Sequence, residues 1–132
     1  FDEKYEELTG LLTPEMTAME QLLFLNRELF HMIEDSISLD LLARLYSTQL
    51  TTNGEKHLLD HNRIYYKLLR KIIAKGQAEG QLSSRSNVNE MVKLYALCER
   101  ALLYDWCLCA GEYALTEYSA KVLPGFLSSF LP

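Results

Sequence analysis

The sequence predicts an all-α fold, an antiparallel bundle of about five helices, on three observations. Apolar residues recur at three- and four-residue spacing through every long segment. Helix-start chemistry at Thr13-Pro14, Ser38 and Asn87 alternates with stop signals at Gly10, Asn53-Gly54, Gly80 and Gly111. No stretch shows the period-two alternation of a half-buried strand.

The elements follow in order. Phe1 to Leu8 reads as the tail of a helix closed by Gly10. Thr13 is expected as the N-cap of the next helix, with Pro14 at its first position and Glu15 in its first turn. That helix runs to about Glu34, its inner side carrying Met16, Met19, Leu22, Leu23, Phe30 and Ile33, with Asn26 on the same stripe. Ser38 caps a short third helix whose Leu41, Leu42, Leu45 and Tyr46 face inward. The next helix covers roughly Lys56 to Glu79. Leu58, His61, Tyr65, Leu68, Leu69 and Ile72 form its inner face, and Arg63, Lys67, Arg70, Lys71 and Lys75 a solvated basic face. Gly76 and Gly80 are expected to end it, Gly80 being the better left-handed stop. Asn87 with Glu90 three positions on forms a capping box for a long helix that Gly111 ends. Pro124 lies inside the last helix, where it is expected to introduce a kink.

The last two helices set the organisation. Met91, Val92, Leu94, Tyr95, Leu97, Cys98, Ala101, Leu102, Leu103, Tyr104, Trp106 and Leu108 leave only Lys93, Glu99, Arg100 and Asp105 as charged breaks. The final helix is expected to repeat this with Leu115, Tyr118, Val122, Leu123, Phe126, Leu127, Phe130 and Leu131. Helices apolar nearly all the way round exceed what a domain of this size covers from one side. A second copy of the chain is the simplest cover, so the expected partner is the protein itself.

Composition bounds the function. With 132 residues, 48% apolar and 23% charged, the chain makes one domain, taken as a single unit over 1–132. Its opening on Phe1 rather than Met is what is expected of a piece of something longer. A formal charge of −5 argues against a dominant phosphate-binding surface, and no apolar run reaches the length of a membrane span. Cys98, Cys107 and Cys109 are odd in number, and the last two point about 200° apart on a helix. They read as buried reduced thiols of a cytoplasmic protein.

Catalytic and metal readings find little support. His57 and His61 share a helix face with Asp60 nearby but have no third ligand, and Glu28-Leu-Phe-His31 lacks the second Glu-x-x-His of a di-iron bundle. There is no nucleophile elbow or phosphate-binding loop. No enzyme activity, metal or cofactor is expected. Asn26, Tyr46, His61, Tyr65, Tyr95 and Cys98, polar or aromatic groups on apolar stripes, suit a ligand pocket with a few orienting polar atoms.

One stretch adds a family resemblance. Gly76 and Gly80 in IIAKGQAEGQL, Asp105-Trp106 in ALLYDW, and Gly111, Tyr113 and Leu115 in GEYAL resemble the C-terminal domain of TetR-family transcriptional regulators, with Ala101 where that family often has glycine. The likeness is strongest over Ile72 to Leu131. It implies an effector-binding and dimerisation domain, a repressor released from DNA by a small ligand. Two copies pair their last two helices as a four-helix bundle. DNA is met only through an N-terminal helix-turn-helix head that this chain lacks. Under that resemblance the pocket is lined by Asn26, Phe30, His61, Tyr65, Leu69, Tyr95, Cys98 and Leu102 and takes an apolar or weakly polar effector. The dimer seam uses Leu97, Ala101, Tyr104, Leu108, Leu115, Tyr118, Val122 and Phe126. The alternative is a helical interaction module with no small-molecule site, binding a different protein through the same apolar pair.

Overall fold

A computed structural model describes residues 2–36, 38, 40, 42–44 and 63–132. The fold is all-α, with no strand among the described residues. Five helices are delimited: α1 (Asp2–Leu11), α2 (Ala18–Ser36), α3 (Arg63–Ala78), α4 (Val88–Leu108) and α5 (Leu115–Phe126), followed by a 3-10 turn at Ser128–Phe130. None of them is long and apolar enough to cross a membrane. The turn at Asn53-Gly54, the inward side chains of Leu41, Leu45 and Tyr46, and Leu58 with both histidines of the His57–His61 pair lie outside the described residues. Leu42 is buried, and its amide donates to the Ser38 carbonyl at 3.0 Å, as expected if Ser38 opens a helix there.

Helices α2 to α5 form a closed ring in which α2 packs on α3 and α5, and α4 packs on the same two; α1 lies against α3. Cross-contacts fix the directions. Leu115 and Thr116 at the start of α5 meet Glu34 near the end of α2, while Ser119 meets Asn26. Tyr65 meets Glu99, whereas Gln77 meets Met91. Each neighbour therefore runs antiparallel to the next, and α2 and α4 run parallel across the diagonal. Leu22, Leu25, Phe30, Tyr65, Leu69, Ile73, Tyr95, Leu115, Leu123 and Phe130 fill the centre.

Local chemistry explains most of the boundaries, with one correction. Thr13-Pro14 does not open α2; it forms a turn, with the Met16 amide donating to the Thr13 carbonyl at 3.1 Å. The helix starts four residues later on a reciprocal box. The Glu20 amide donates to the Thr17 hydroxyl at 3.1 Å, and the Thr17 amide to the Glu20 carboxylate at 2.9 Å. Both threonines sit before a helical pattern, but only Thr17 has a glutamate three residues on. Gln81 satisfies a further free amide by accepting from Ala18 at 2.8 Å.

The stop after α3 is as expected. Gly80 takes φ +74, the Gln81 amide donates to the Gly76 carbonyl at 2.8 Å, and the Gly80 amide to the Gln77 carbonyl at 3.2 Å. That pair of bonds is a Schellman motif. Gly76 has a second role: a Cβ there would meet Ala18 Cβ at 2.7 Å and Leu82 Cγ at 2.8 Å, so its lack of a side chain lets α3 touch the start of α2. Asn87 caps α4, accepting from the Glu90 amide at 2.9 Å. The turn after α4 uses two left-handed residues, Ala110 at φ 53 and Gly111 at φ 69. Trp106 Nε1 donates across it to the Tyr113 carbonyl at 2.9 Å, and the Tyr113 hydroxyl to Asp105 at 3.0 Å. The helix α5 continues through Pro124 and ends two residues later.

Candidate functional site

The middle of the ring is polar. Glu99, read from sequence as a charged break on an apolar helix, instead lies on the inner face of α4 and is only 5% exposed. It recurs at helical spacing with Val92, Tyr95, Ala96, Leu102, Leu103 and Trp106, all of them buried. Its Oε2 accepts from the Asn26 amide at 2.9 Å and from the Tyr65 hydroxyl at 2.8 Å. The Tyr65 and Tyr95 hydroxyls stand 3.2 Å apart, and Tyr95 donates to the Leu22 carbonyl at 2.7 Å. On the far side the Ser119 hydroxyl donates to Asn26 Oδ1 at 2.6 Å. One network thus ties α2, α3, α4 and α5 together.

Burial dominates the electrostatics here. Removal from water pushes the Glu99 carboxyl up to about 7, with the surrounding donors and the charge of Arg100 pulling it only part of the way back. The same burial, with Glu99 close by, pushes both the Tyr65 and Tyr95 hydroxyls well above the ordinary phenol range. A buried carboxyl without a matching cation is costly unless hydrogen-bonded or neutral, which makes this cluster the most unusual chemistry in the described chain.

Two members of the network, Asn26 and Ser119, line a cleft at the surface. A cleft of about 370 Å³ between α2 and α5 has walls of Met16, Leu23, Phe24, Leu123 and Pro124, with Asn26 and Ser119 also lining it. Glu20 and Arg27 stand at the same cleft, the Arg27 guanidinium 5.9 Å from the Phe24 ring centre. Apolar walls with a few fixed polar groups can hold a small amphipathic molecule.

The sequence-predicted pocket residues separate into groups. Phe30, Tyr65, Leu69, Tyr95 and Leu102 are packed core, Cys98 is half-buried beside them, and His61 lies outside the described residues. Of the eight, Asn26 is the one that lines the α2–α5 cleft. The three cysteines are free, as expected, but half-buried rather than fully enclosed. No group of three or more metal-ligating side chains occurs among the described residues.

The expected seam residues separate as well. On α4, Leu94, Leu97, Ala101, Tyr104 and Leu108 are exposed at alternating three- and four-residue spacing, Leu97 to 52% and Leu108 to 67%. On α5, Tyr118 and Phe126 are exposed and Val122 half-exposed. Leu115 is the correction: it is 0% exposed, at i, i+4 and i+8 with Ser119 and Leu123 on the face turned to α2, and so is covered within the chain itself rather than lying on the exposed stripe. The Tyr113 and Tyr118 rings, 4.8 Å apart edge to face, join the stripe on α4 to that on α5 through Asp105. No family model, curated protein or solved structure matches this chain.

Proposed function

We propose that this chain is the effector-binding and dimerisation domain of a TetR-like transcriptional regulator, a repressor whose DNA-reading head belongs to a longer cytoplasmic protein. The observation that carries the reading is the exposed stripe Leu94, Leu97, Ala101, Tyr104 and Leu108, continued by Tyr118, Val122 and Phe126. A 3-4 apolar repeat on a helix whose opposite face is already buried is the pattern that a facing helix pair covers. Covering each half-exposed Leu, Tyr or Phe recovers roughly 1 kcal/mol, and two-fold pairing counts each residue twice. The α2–α5 cleft, with Asn26 and Ser119 among its lining residues, supplies a place for a small apolar or weakly polar effector. Binding there biases the packing of α2 on α5, and a ligand shifts an equilibrium only by its differential affinity for the two states.

Leu97→Asp and Tyr118→Asp are each expected to give monomers by light scattering, with Lys71→Asp on the exposed basic face of α3 as the unchanged control. Dimers that survive both substitutions overturn the reading. A second reading, a helical interaction module for a different protein, draws support from the tight packing of the described interior. It predicts a monomeric chain whose stripe is filled only by that partner.

A further inference from the structure

We propose that the outer face of α3 docks on the phosphate backbone of double-stranded DNA, holding it through Lys67, Arg70, Lys71 and Lys75 without reading its sequence. The helix Arg63–Ala78 contains five cations and none of the chain's 18 acidic residues. The formal charge of −5 averages this segregation away. Tyr65, Leu68, Leu69, Ile72 and Ile73 are buried toward the ring, so the four cations stand on the opposite side, all of them exposed. Lys67, Lys71 and Lys75 follow one another at four-residue intervals along about 12 Å of helix, with Arg70 beside them.

Nothing within the described chain relieves these charges. Among the described residues no carboxylate lies within 4.0 Å of any of the four, and Glu79, one turn beyond Lys75, is not paired with it. On α2, by contrast, Arg27 pairs with Glu28 at 3.6 Å. Like charges three and four positions apart on a helix repel, as Lys67 does Arg70 and Lys71, and as Lys71 does Lys75. The first turn of α3, at the positive end of its dipole, holds no acid either. A polyanion laid along this face offsets both repulsions and releases its own condensed counterions.

The side chains between the cations select the kind of polyanion. Among the side chains described, the other exposed residues of α3 are Ala74 and Ala78. A membrane surface is held by large apolar side chains sunk into the headgroup boundary, which alanine does not supply. Protein interfaces centre on aromatic and arginine anchors and are depleted in lysine, the main cation here. Single-stranded nucleic acid is held by stacking on exposed rings. The ring at hand, Tyr66, is half-buried against the core, with its hydroxyl accepting from Arg100 at 3.4 Å. Duplex phosphates ask for cations alone, lysine as a point charge and arginine as a two-pronged donor.

Fluorescence anisotropy of the 132-residue chain with labelled duplexes of about 20 base pairs, titrated from ~50 mM salt upward, tests this. Four phosphate contacts predict a log–log salt slope of about −3.6, the same for unrelated duplex sequences. Replacing Lys67→Gln and Lys71→Gln together should weaken binding and flatten the slope by about 2, whereas Lys121→Gln, at an exposed lysine of α5, should leave it unchanged. Absence of duplex binding at the lowest salt, or an equal loss for Lys121→Gln, overturns the proposal. So does binding to polyglutamate, or to phosphatidylserine vesicles, with the duplex left free. The outcome is independent of the proposed regulatory role, since the chain is assayed by itself and needs neither effector nor dimer.

Discussion

Glu34 caps Thr116 from a different helix. The carboxylate near the end of α2 accepts from the Thr116 amide at 2.7 Å, from the Thr116 hydroxyl, and from the Leu115 amide at 3.0 Å. The residue in the N-cap position of α5 is Ala114, which has no side-chain acceptor, so the cap is supplied across 82 positions of sequence. It satisfies orphan amides and sets a negative charge at the positive end of the helix dipole. Partial burial alone would raise the Glu34 carboxyl. The bonds from Thr116 and Leu115, with His31 one turn away, outweigh it and hold the carboxyl below the usual carboxylate value.

Glu34→Ala is therefore expected to destabilise the fold by about 1–2 kcal/mol at neutral pH, the usual cost of losing a helix cap. Because the folded value is lowered, the contribution is present above about pH 4.5 and disappears as pH falls through the folded value. Urea unfolding of wild type and Glu34→Ala should differ at pH 7 and converge in acid. Burial pushes the Glu99 carboxyl the other way, up to about 7, so the two carboxyls are separable in a single titration.

Gly76→Ala tests the close approach of α3 to the start of α2. Alanine gains about 1 kcal/mol of helix propensity at an unconstrained site. Here its Cβ would meet the Cβ of Ala18 at 2.7 Å, an atom fixed to backbone, so the helices must separate. A net loss of about 1–3 kcal/mol in thermal or urea unfolding is expected. Gly80→Ala meets no atom within 4 Å and should cost only about 1 kcal/mol, from the left-handed backbone alone.

Ala110 offers the opposite change. It holds φ 53 without being glycine, immediately before Gly111. Ala110→Gly is expected to raise the melting temperature, by about 0.5–1 kcal/mol of relieved strain, with the side chain itself exposed and little packing lost. A lowered melting temperature would show that unfolded-chain entropy outweighs the strain.

Asn26 is the joint of the polar network, giving its amide to Glu99 and accepting from Ser119. Asn26→Leu should cost about 2–4 kcal/mol, since it removes two buried hydrogen bonds, leaving the Ser119 hydroxyl without its acceptor and Glu99 Oε2 with Tyr65 but no amide donor. Ser119→Ala removes only one and should cost about 1 kcal/mol. The two losses should be non-additive in a double-mutant cycle by urea unfolding.

Local signals carried most of the fold. The Asn87–Glu90 box, the left-handed Gly80 and the basic outer face of α3 act within a few residues and were readable in the sequence. Thr17 was readable too, through Glu20, but Thr13-Pro14 offers a competing start that only the packing of Ala18 on Gly76 and Gln81 decides. The network was not readable. A glutamate among leucines reads as a solvated break until partners 34 and 73 residues away surround it. Leu115 fails for the same reason: an apolar residue on an apolar helix gives no sign of which neighbour covers it. The proposed self-association rests on what remains uncovered after the ring closes.

Sedimentation equilibrium of the wild-type chain tests that claim most directly. A mass of twice the 15.2 kDa chain, constant over the concentration series, is the predicted result. A single 15.2 kDa species at the highest concentration, with Leu97, Tyr104 and Leu108 still facing water, would contradict it.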